Sequence, residues 1–436
     1  MAHRSQIPPM SPALRWLLAA AMGLLALGLA IQMLPGKSHP LGKDFNQYYV
    51  AGKLAVRGQL DSLYFVDIHR ALTEAEFPGT LWTKTAREFG FTSTGYWVYQ
   101  PWVAWMYVPL VPFSPYMAFV LAYFACAALL VFGVWLSGRD VPRFGPEAAL
   151  IAFAPFAISP PVAEAMGAAQ ASIPFFAMLV LFARALHRDR PWQAGLWWAL
   201  MTGLKMFPVY FGAYLLLRRQ WRALVAGAVW GAALMGVNVL CSGWAASVRF
   251  VQMIIEHLPY NSTFDSNQSV TGWALRQKYV ADPHAWTIIR VPGVLGIEIK
   301  VFILLTLLVA GIAVARRKDE APNPWMGPLS LGLFTIWTVM VAPFAWMHHL
   351  VALAYPIVVA AARLLDDDRH RLRDGLLWTA GVGLVLAHWV FIRVNQPDWS
   401  ASNKILLASL PLYGSAVLFV LLLLQTGAAR REARDA

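Results

Sequence analysis

Residues 192–217 read WQAGLWWALMTGLKMFPVYFGAYLLL, and whether they cross a membrane once or twice sets the side of every loop that follows. As one helix, these 26 residues would run about 39 Å. The stretch nevertheless carries Lys205 three residues before Pro208. Proline removes a backbone donor and crowds the preceding turn, and a lysine at the centre of a spanning helix costs about 2.5 to 3.5 kcal/mol on insertion scales. The stretch therefore reads as two short helices, 192–204 and 206–217, with an ammonium at the apex. Thirteen residues cover only about 20 Å of a hydrocarbon layer about 30 Å thick. Broken helices of this kind belong where they face a protein-lined cavity.

The whole chain supports a membrane setting. Of its 436 residues 58% are hydrophobic and only 13% charged, a composition outside the range of soluble globules. The formal net charge of +12 could suggest a nucleic-acid partner. The arginines, however, form small groups between apolar runs instead of one basic stripe, so no nucleic acid is expected. Counting 192–217 as two crossings gives twelve apolar segments: 13–34, 115–136, 146–159, 168–186, 192–204, 206–217, 224–241, 299–315, 325–341, 349–365, 375–392 and 405–424. One face then collects Arg139 and Arg143, Arg188 and Arg190, Arg218, Arg219 and Arg222, Arg316, Arg317 and Lys318, Arg369, Arg371 and Arg373, and Arg430, Arg431 and Arg434. By the positive-inside rule that face is cytoplasmic. The expectation is a single all-α polytopic domain over 1–436 in the cell inner or plasma membrane, with broken or re-entrant helices and both termini inside. Segment 13–34, preceded by Arg4 and Arg15, reads as an uncleaved signal anchor, and 430–436 as a cytoplasmic tail.

The outer face then receives the loops 35–112 and 242–298, the turn 343–348 and a short turn around 395–403. The first begins KDFNQYYVAGKLAVRGQLDSLY at 43–64. From Asn46 to Leu60 apolar positions recur at helical spacing opposite Lys53, Arg57 and Gln59, which predicts a short helix lying on the membrane and ending at Gly58. A second short helix is expected from Tyr64 through Asp67, His69 and Arg70 toward Glu76. The aromatic run GYWVYQPWVAWMYVPL at 95–110 suits the head-group belt, and Pro101 and Pro109 bracket a piece that dips back.

Several polar residues stand out on this face, each with a plainer alternative. Asp44 is a carboxylate at the membrane edge or a helix cap. Lys205 is an anion partner or a lysine that snorkels to the interface. His348 and His349, where a helix enters the membrane, bind a phosphate oxygen, relay a proton or cap the helix. Asn267, Gln268 and Arg276 offer amide donors and a guanidinium suited to sugar hydroxyls or a phosphate diester. Cys126 and Cys241 lie in or at the end of apolar segments and read as core residues. Asp366, Asp367 and Asp368 resemble a metal motif, but among cytoplasmic arginines they read as a solvated turn. No Gly-rich nucleotide loop is present, and neither a metal nor a cofactor is expected.

Asp44 with Tyr48 and Tyr49, Gly58 with Leu63 and Tyr64, Tyr99-Gln100-Pro101, Gly167 with Gln170, Lys205-Met206-Phe207-Pro208, Asn267-Gln268-Ser269, and Pro343 with Trp346 and His348 follow one another on one face. In this order the set resembles glycosyltransferase family 87, the polyprenol-phosphate-mannose-dependent mannosyltransferases of the C-type glycosyltransferase fold. Gln100 departs from the small or apolar residue expected before that proline. The resemblance implies an inverting hexosyl transfer, of mannose by analogy, from a polyprenyl-phosphate sugar donor to a lipid or glycan acceptor on the outer face. It maps the family's acidic residue onto Asp44. A polyprenyl phosphate leaves readily, so the chemistry needs a base for the acceptor hydroxyl and cations for the phosphate. Asp44 is expected as the catalytic base and Lys205, His348 and Arg276 as phosphate ligands. Tyr48, Tyr49, Tyr99, Gln170, Asn267, Gln268 and His349 are expected at the substrates. Two other classes share some features: a lipid-linked-sugar transporter or flippase, with broken helices but usually an internal repeat, and an O-antigen ligase or polymerase, with a large arginine-rich outer loop. Neither the repeat nor that loop is seen in the sequence.

Overall fold

In the computed structural model residues 43–64, 79–92, 95–279, 283–284, 287–315, 323–394 and 400–435 are described. Segment 13–34, the helix expected through Asp67, His69 and Arg70, the cations Arg316, Arg317 and Lys318, and most of the turn around 395–403 lie outside them.

The helix Lys43–Val56 begins with Asp44 in its first turn, where a carboxylate complements the exposed backbone donors and the positive dipole end. Gly58, at φ 68°, turns the chain after it. The helix does not lie on a surface. Phe45, Asn46, Gln47, Tyr48, Tyr49, Val50, Ala51 and Leu54 are all buried, so protein covers this part of the helix on both faces. The cover is the 3-10 segment Pro101–Leu110. A side chain at Gly52 would come within 3.2 Å of the Tyr107 backbone. Tyr48 stacks on Tyr107 at 4.5 Å, and Phe45 meets Phe119 edge-on at 5.1 Å.

Ser114 caps the long helix Pro115–Asp140, its hydroxyl accepting from the Met117 N–H, with Pro115 in the first turn where its missing donor costs nothing. Helices Pro146–Ala157 and Pro160–Gly167 follow, bent by 86° at a proline. Then come Ser172–His187 and Pro191–Leu204, which stops at Lys205. A 3-10 turn Phe207–Tyr210 and the helix Phe211–Leu217 complete the broken pair. Helices Trp221–Ser242 and Pro191–Leu204 approach so closely that a Cβ on Gly195 would lie 2.5 Å from the Gly227 nitrogen. Residues 242–298, expected as an outer loop, include helix Trp244–His257, helix Val270–Tyr279 and a two-stranded antiparallel ribbon pairing Tyr260 with Arg290 and Ser262 with Ile288. That ribbon is the small departure from an all-α reading. Helices Gly293–Val314, Met326–Val341 and Ala354–Asp366 follow, the last entered through a 3-10 turn Met347–Leu353. Arg371–Val394 comes next, and the last expected span is divided at Ser409 into Ala401–Ala408 and Leu410–Asp435.

Five described helices are long and apolar enough to cross a membrane, or six if the bent pair is one span. The expected twelve is not reached on that measure, because several segments are short and the first is not described. Three of the helices share an orientation. Pro115–Asp140, Ser172–His187 and Met347–Asp366 each begin near the polar site described below. Each ends in a belt of ion pairs, where Arg184 binds Asp140 at 2.8 Å and Arg143 binds Asp366 at 2.7 Å. Arg363 adds Asp367 at 3.3 Å and also Glu432. The polar site and the ion-pair belt thus lie at opposite ends of these three helices.

Candidate active site

Asp44 is the partly exposed end of a continuous chain of hydrogen bonds. Its Oδ1 accepts from Gln47 Nε2 at 2.9 Å and its Oδ2 from Gln170 Nε2. Gln170 Oε1 accepts in turn from the Tyr48 hydroxyl at 2.7 Å. The Tyr48 and Tyr99 hydroxyls are 2.6 Å apart, Lys205 Nζ donates to Tyr99 at 3.0 Å, and Lys205 Nζ lies 3.1 Å from His349 Nε2.

Proton bookkeeping gives this chain a direction. A hydroxyl has one proton to donate. Tyr48 gives its proton to Gln170, so the Tyr99 proton points at Tyr48 and the Tyr99 oxygen receives Lys205. The Gln170 amide is fixed by the same logic, since the opposite orientation would set its carbonyl against the Asp44 carboxylate. Burial, then the neighbouring Tyr99, Tyr107 and Asp44, pushes the Tyr48 phenol well above its ordinary value. Burial and Asp44 push Tyr99 up as well. Both stay neutral donors, and every dipole runs from the cationic end at Lys205 to the anionic end at Asp44. Aligned bonds of this kind polarise one another.

Local structure delivers each member. Tyr48 lies one turn beyond Asp44 on the same helix face. Gln170 follows Ala169, whose φ of 44° is uncommon for a residue with a Cβ. Tyr99 is held by its own carbonyl, which accepts from the Tyr64 hydroxyl at 2.5 Å. Lys205 sits where Pro191–Leu204 stops.

Other expected residues do different work. His348 turns from this chain to Glu164, its Nδ1 lying 2.9 Å from Oε1. Tyr49 donates to the Phe113 carbonyl at 2.8 Å and packs on Phe89 and Phe91, away from the chain that joins Asp44 to Lys205. Asn267 and Gln268 are fully buried loop pins. Asn267 Nδ2 donates to Asn261 Oδ1 at 2.7 Å and the Ser262 carbonyl at 2.8 Å, while its Oδ1 accepts from the Ala345 N–H at 3.1 Å. Gln268 Nε2 donates to the Ala408 carbonyl at 2.8 Å and Oε1 accepts from the Leu412 N–H at 3.1 Å. With their polar atoms engaged internally, they anchor the turn that carries His348 and leave nothing for a sugar. Arg276 is also buried and turned inward. Burial pushes its guanidinium down to about 10 against the opposing Asp265 charge. Its Nη1 donates to the Phe264 and Asn267 carbonyls at 3.0 and 2.7 Å and its Nη2 to Ser409 Oγ at 3.1 Å, while Nε finds no partner among the described residues.

Glu164 was missed by the sequence reading. It occupies the short helix after the 86° bend, and Ser266 Oγ lies 3.2 and 3.1 Å from its two oxygens. The argument that singled out Lys205, an ionisable group in an apolar stretch, applies to it equally. Among the described residues no three His, Cys, Asp or Glu side chains form a group suited to a metal ion.

Two curated proteins are similar to this chain. The polyprenol-phosphate-mannose-dependent alpha-(1-2)-phosphatidylinositol mannoside mannosyltransferase of Mycolicibacterium smegmatis is 26% identical over 214 residues, 48% of this chain and 46% of its own length. The protein of that name from Mycobacterium tuberculosis is 25% identical over 297 residues, 66% of this chain and 64% of its own length. The chain thus spans less than two thirds of either relative. The family model for glycosyltransferase family 87 matches residues 97–343, which include Tyr99, Glu164, Gln170 and Lys205 and stop short of Asp44, His348 and His349. That match covers more than half of the sequence, and with the polar site at one end of a helical membrane bundle it establishes that the chain belongs to glycosyltransferase family 87.

Proposed function

We propose that this chain transfers a mannosyl group from a polyprenol-phosphate-mannose donor to a hydroxyl of a lipid-borne or glycan acceptor on the outer side of the membrane, with inversion. The observation that carries this reading is the directed chain from Lys205 to Asp44, which separates a cationic end from a proton-accepting end within one site. The acceptor O–H gives its proton to Asp44 as its oxygen bonds the anomeric carbon. The bond from that carbon to the phosphate oxygen breaks with its electron pair, and Lys205 meets the growing phosphate charge. Attack opposite the leaving group inverts the centre. The two amide donors on Asp44 hold its carboxylate aimed. The relatives' names supply the donor and suggest a phosphatidylinositol-mannoside type of acceptor.

Purified protein given polyprenol-phosphate-mannose and a phosphatidylinositol mannoside should yield an acceptor heavier by one hexose by mass spectrometry. A nucleotide-activated mannose alone should yield none. Transfer from the nucleotide sugar, or none from the lipid donor, would defeat the reading.

A further inference from the structure

The directed chain engages Asp44 and Lys205 but makes no use of Glu164 and His348, which meet beside it. The His348 ring meets the His349 ring edge-on at 4.7 Å, and Lys205 Nζ lies 3.1 Å from His349 Nε2, so the two groups share one neighbourhood. The Glu164 side chain is 39% exposed although Val162, Ala165 and Met166 around it are buried, whereas His348 is 6% exposed. A carboxylate has four acceptor positions. His348 and the single Ser266 proton leave part of that capacity open. With its Nδ1 proton directed at Glu164, the neutral His348 ring presents a lone pair on Nε2, for which the described residues provide no hydrogen bond. Space is available as well. Gly167 lies three residues beyond Glu164 on the same helix face, and a Cβ there would meet no atom within 4 Å.

A carboxylate and an imidazole lone pair accept hydrogen bonds and repel a phosphate, whose oxygens need donors. Sugar hydroxyls supply the donors such a corner requires. We propose that Glu164 and His348 form a sugar-hydroxyl subsite beside the phosphate end at Lys205, which reassigns His348 from the phosphate role expected from sequence. This rests on the donor reading above. The hydroxyls belong to the transferred sugar or to the acceptor sugar, and Ser266 and the pinned turn hold the two acceptors in register.

The test compares bare polyprenyl phosphate with polyprenyl-phosphate mannose binding to the full chain in lipid nanodiscs, alongside KM for a phosphatidylinositol mannoside. Bare polyprenyl phosphate reads the Lys205 end alone and serves as the fold control. A site built to bond a hydroxyl loses strongly when its acceptor is removed. In Glu164→Gln, bare polyprenyl phosphate should bind as in wild type. Either the added affinity for the mannose-bearing lipid falls about tenfold, placing the donor sugar here, or the acceptor KM rises about tenfold, placing the acceptor sugar here. Both quantities unchanged within about twofold would overturn the subsite. If Glu164→Gln fails to bind bare polyprenyl phosphate, Glu164→Asp, which keeps the charge and withdraws the oxygens, is read against the same two outcomes. Wild-type protein that binds neither lipid would overturn the donor reading, and this proposal with it.

Discussion

Tyr48 shows how a buried hydroxyl acts at a distance. It touches Gln170 and Tyr99 and leaves the Asp44 carboxylate to Gln170. Tyr48→Phe keeps the ring stacked on Tyr107 but leaves the Gln170 carbonyl and the Tyr99 hydroxyl without the partner that links them. Because an unsatisfied buried group costs about 1–3 kcal/mol, kcat should fall about tenfold or more while affinity for polyprenyl phosphate holds. Equal activity in Tyr48→Phe would mean that Gln170 is oriented without it. At this scale the sequence was legible in part. Asp44, Lys205, Tyr48, Tyr99, Gln170 and His349 come together as expected. Asn267, Gln268 and Arg276 look identical in sequence to residues that face a ligand, because one-dimensional text does not reveal which backbone carbonyls their donors will meet. Glu164 was hidden for the opposite reason: its importance comes from His348 and Ser266, both remote in the chain.

Helices were legible where their ends are written in residue chemistry. Ser114 with Pro115, the proline at the 86° bend, and Lys205 before Pro208 mark boundaries that the structure keeps. In the helix Lys43–Val56 the sequence suggested a polar face from Lys53 and Arg57. Lys53 instead reaches the Val111 carbonyl at 2.9 Å and lies over the Phe89 ring. Its ammonium is satisfied while its stem is covered, which lets the helix enter the interior. The close approach of Pro191–Leu204 to Trp221–Ser242 holds the helix that presents Lys205. Gly195→Ala puts a methyl against backbone, and overpacking of this kind costs about 1–3 kcal/mol. Its melting temperature in detergent should drop by several degrees. A melting temperature equal to wild type would show that the two helices separate freely.

For the molecule as a whole, the arginine pattern predicts sidedness, and the structure separates a polar site at one end of three helices from an ion-pair belt at the other. A reporter fused after Ser266 should be active outside the cytoplasm, and one fused after Asp367 active inside. Reversed signals would put the site on the cytoplasmic face. The number of crossings was less legible, since the broken segments fall below the length of a simple span. Family membership sets the transporter alternative aside, and what then carries the account is the assignment of the acceptor's proton.

The direct measurement is single-turnover mannosyl transfer by purified Asp44→Asn beside wild type, with donor binding recorded in the same preparation. Asparagine keeps the shape and an oxygen for the amide donors but cannot take a proton, and a general base contributes about 10²- to 10⁴-fold. The account predicts a loss on that scale with normal folding and donor affinity. Transfer at more than about a tenth of the wild-type rate would contradict it, since a base that could be removed so cheaply would not be the base.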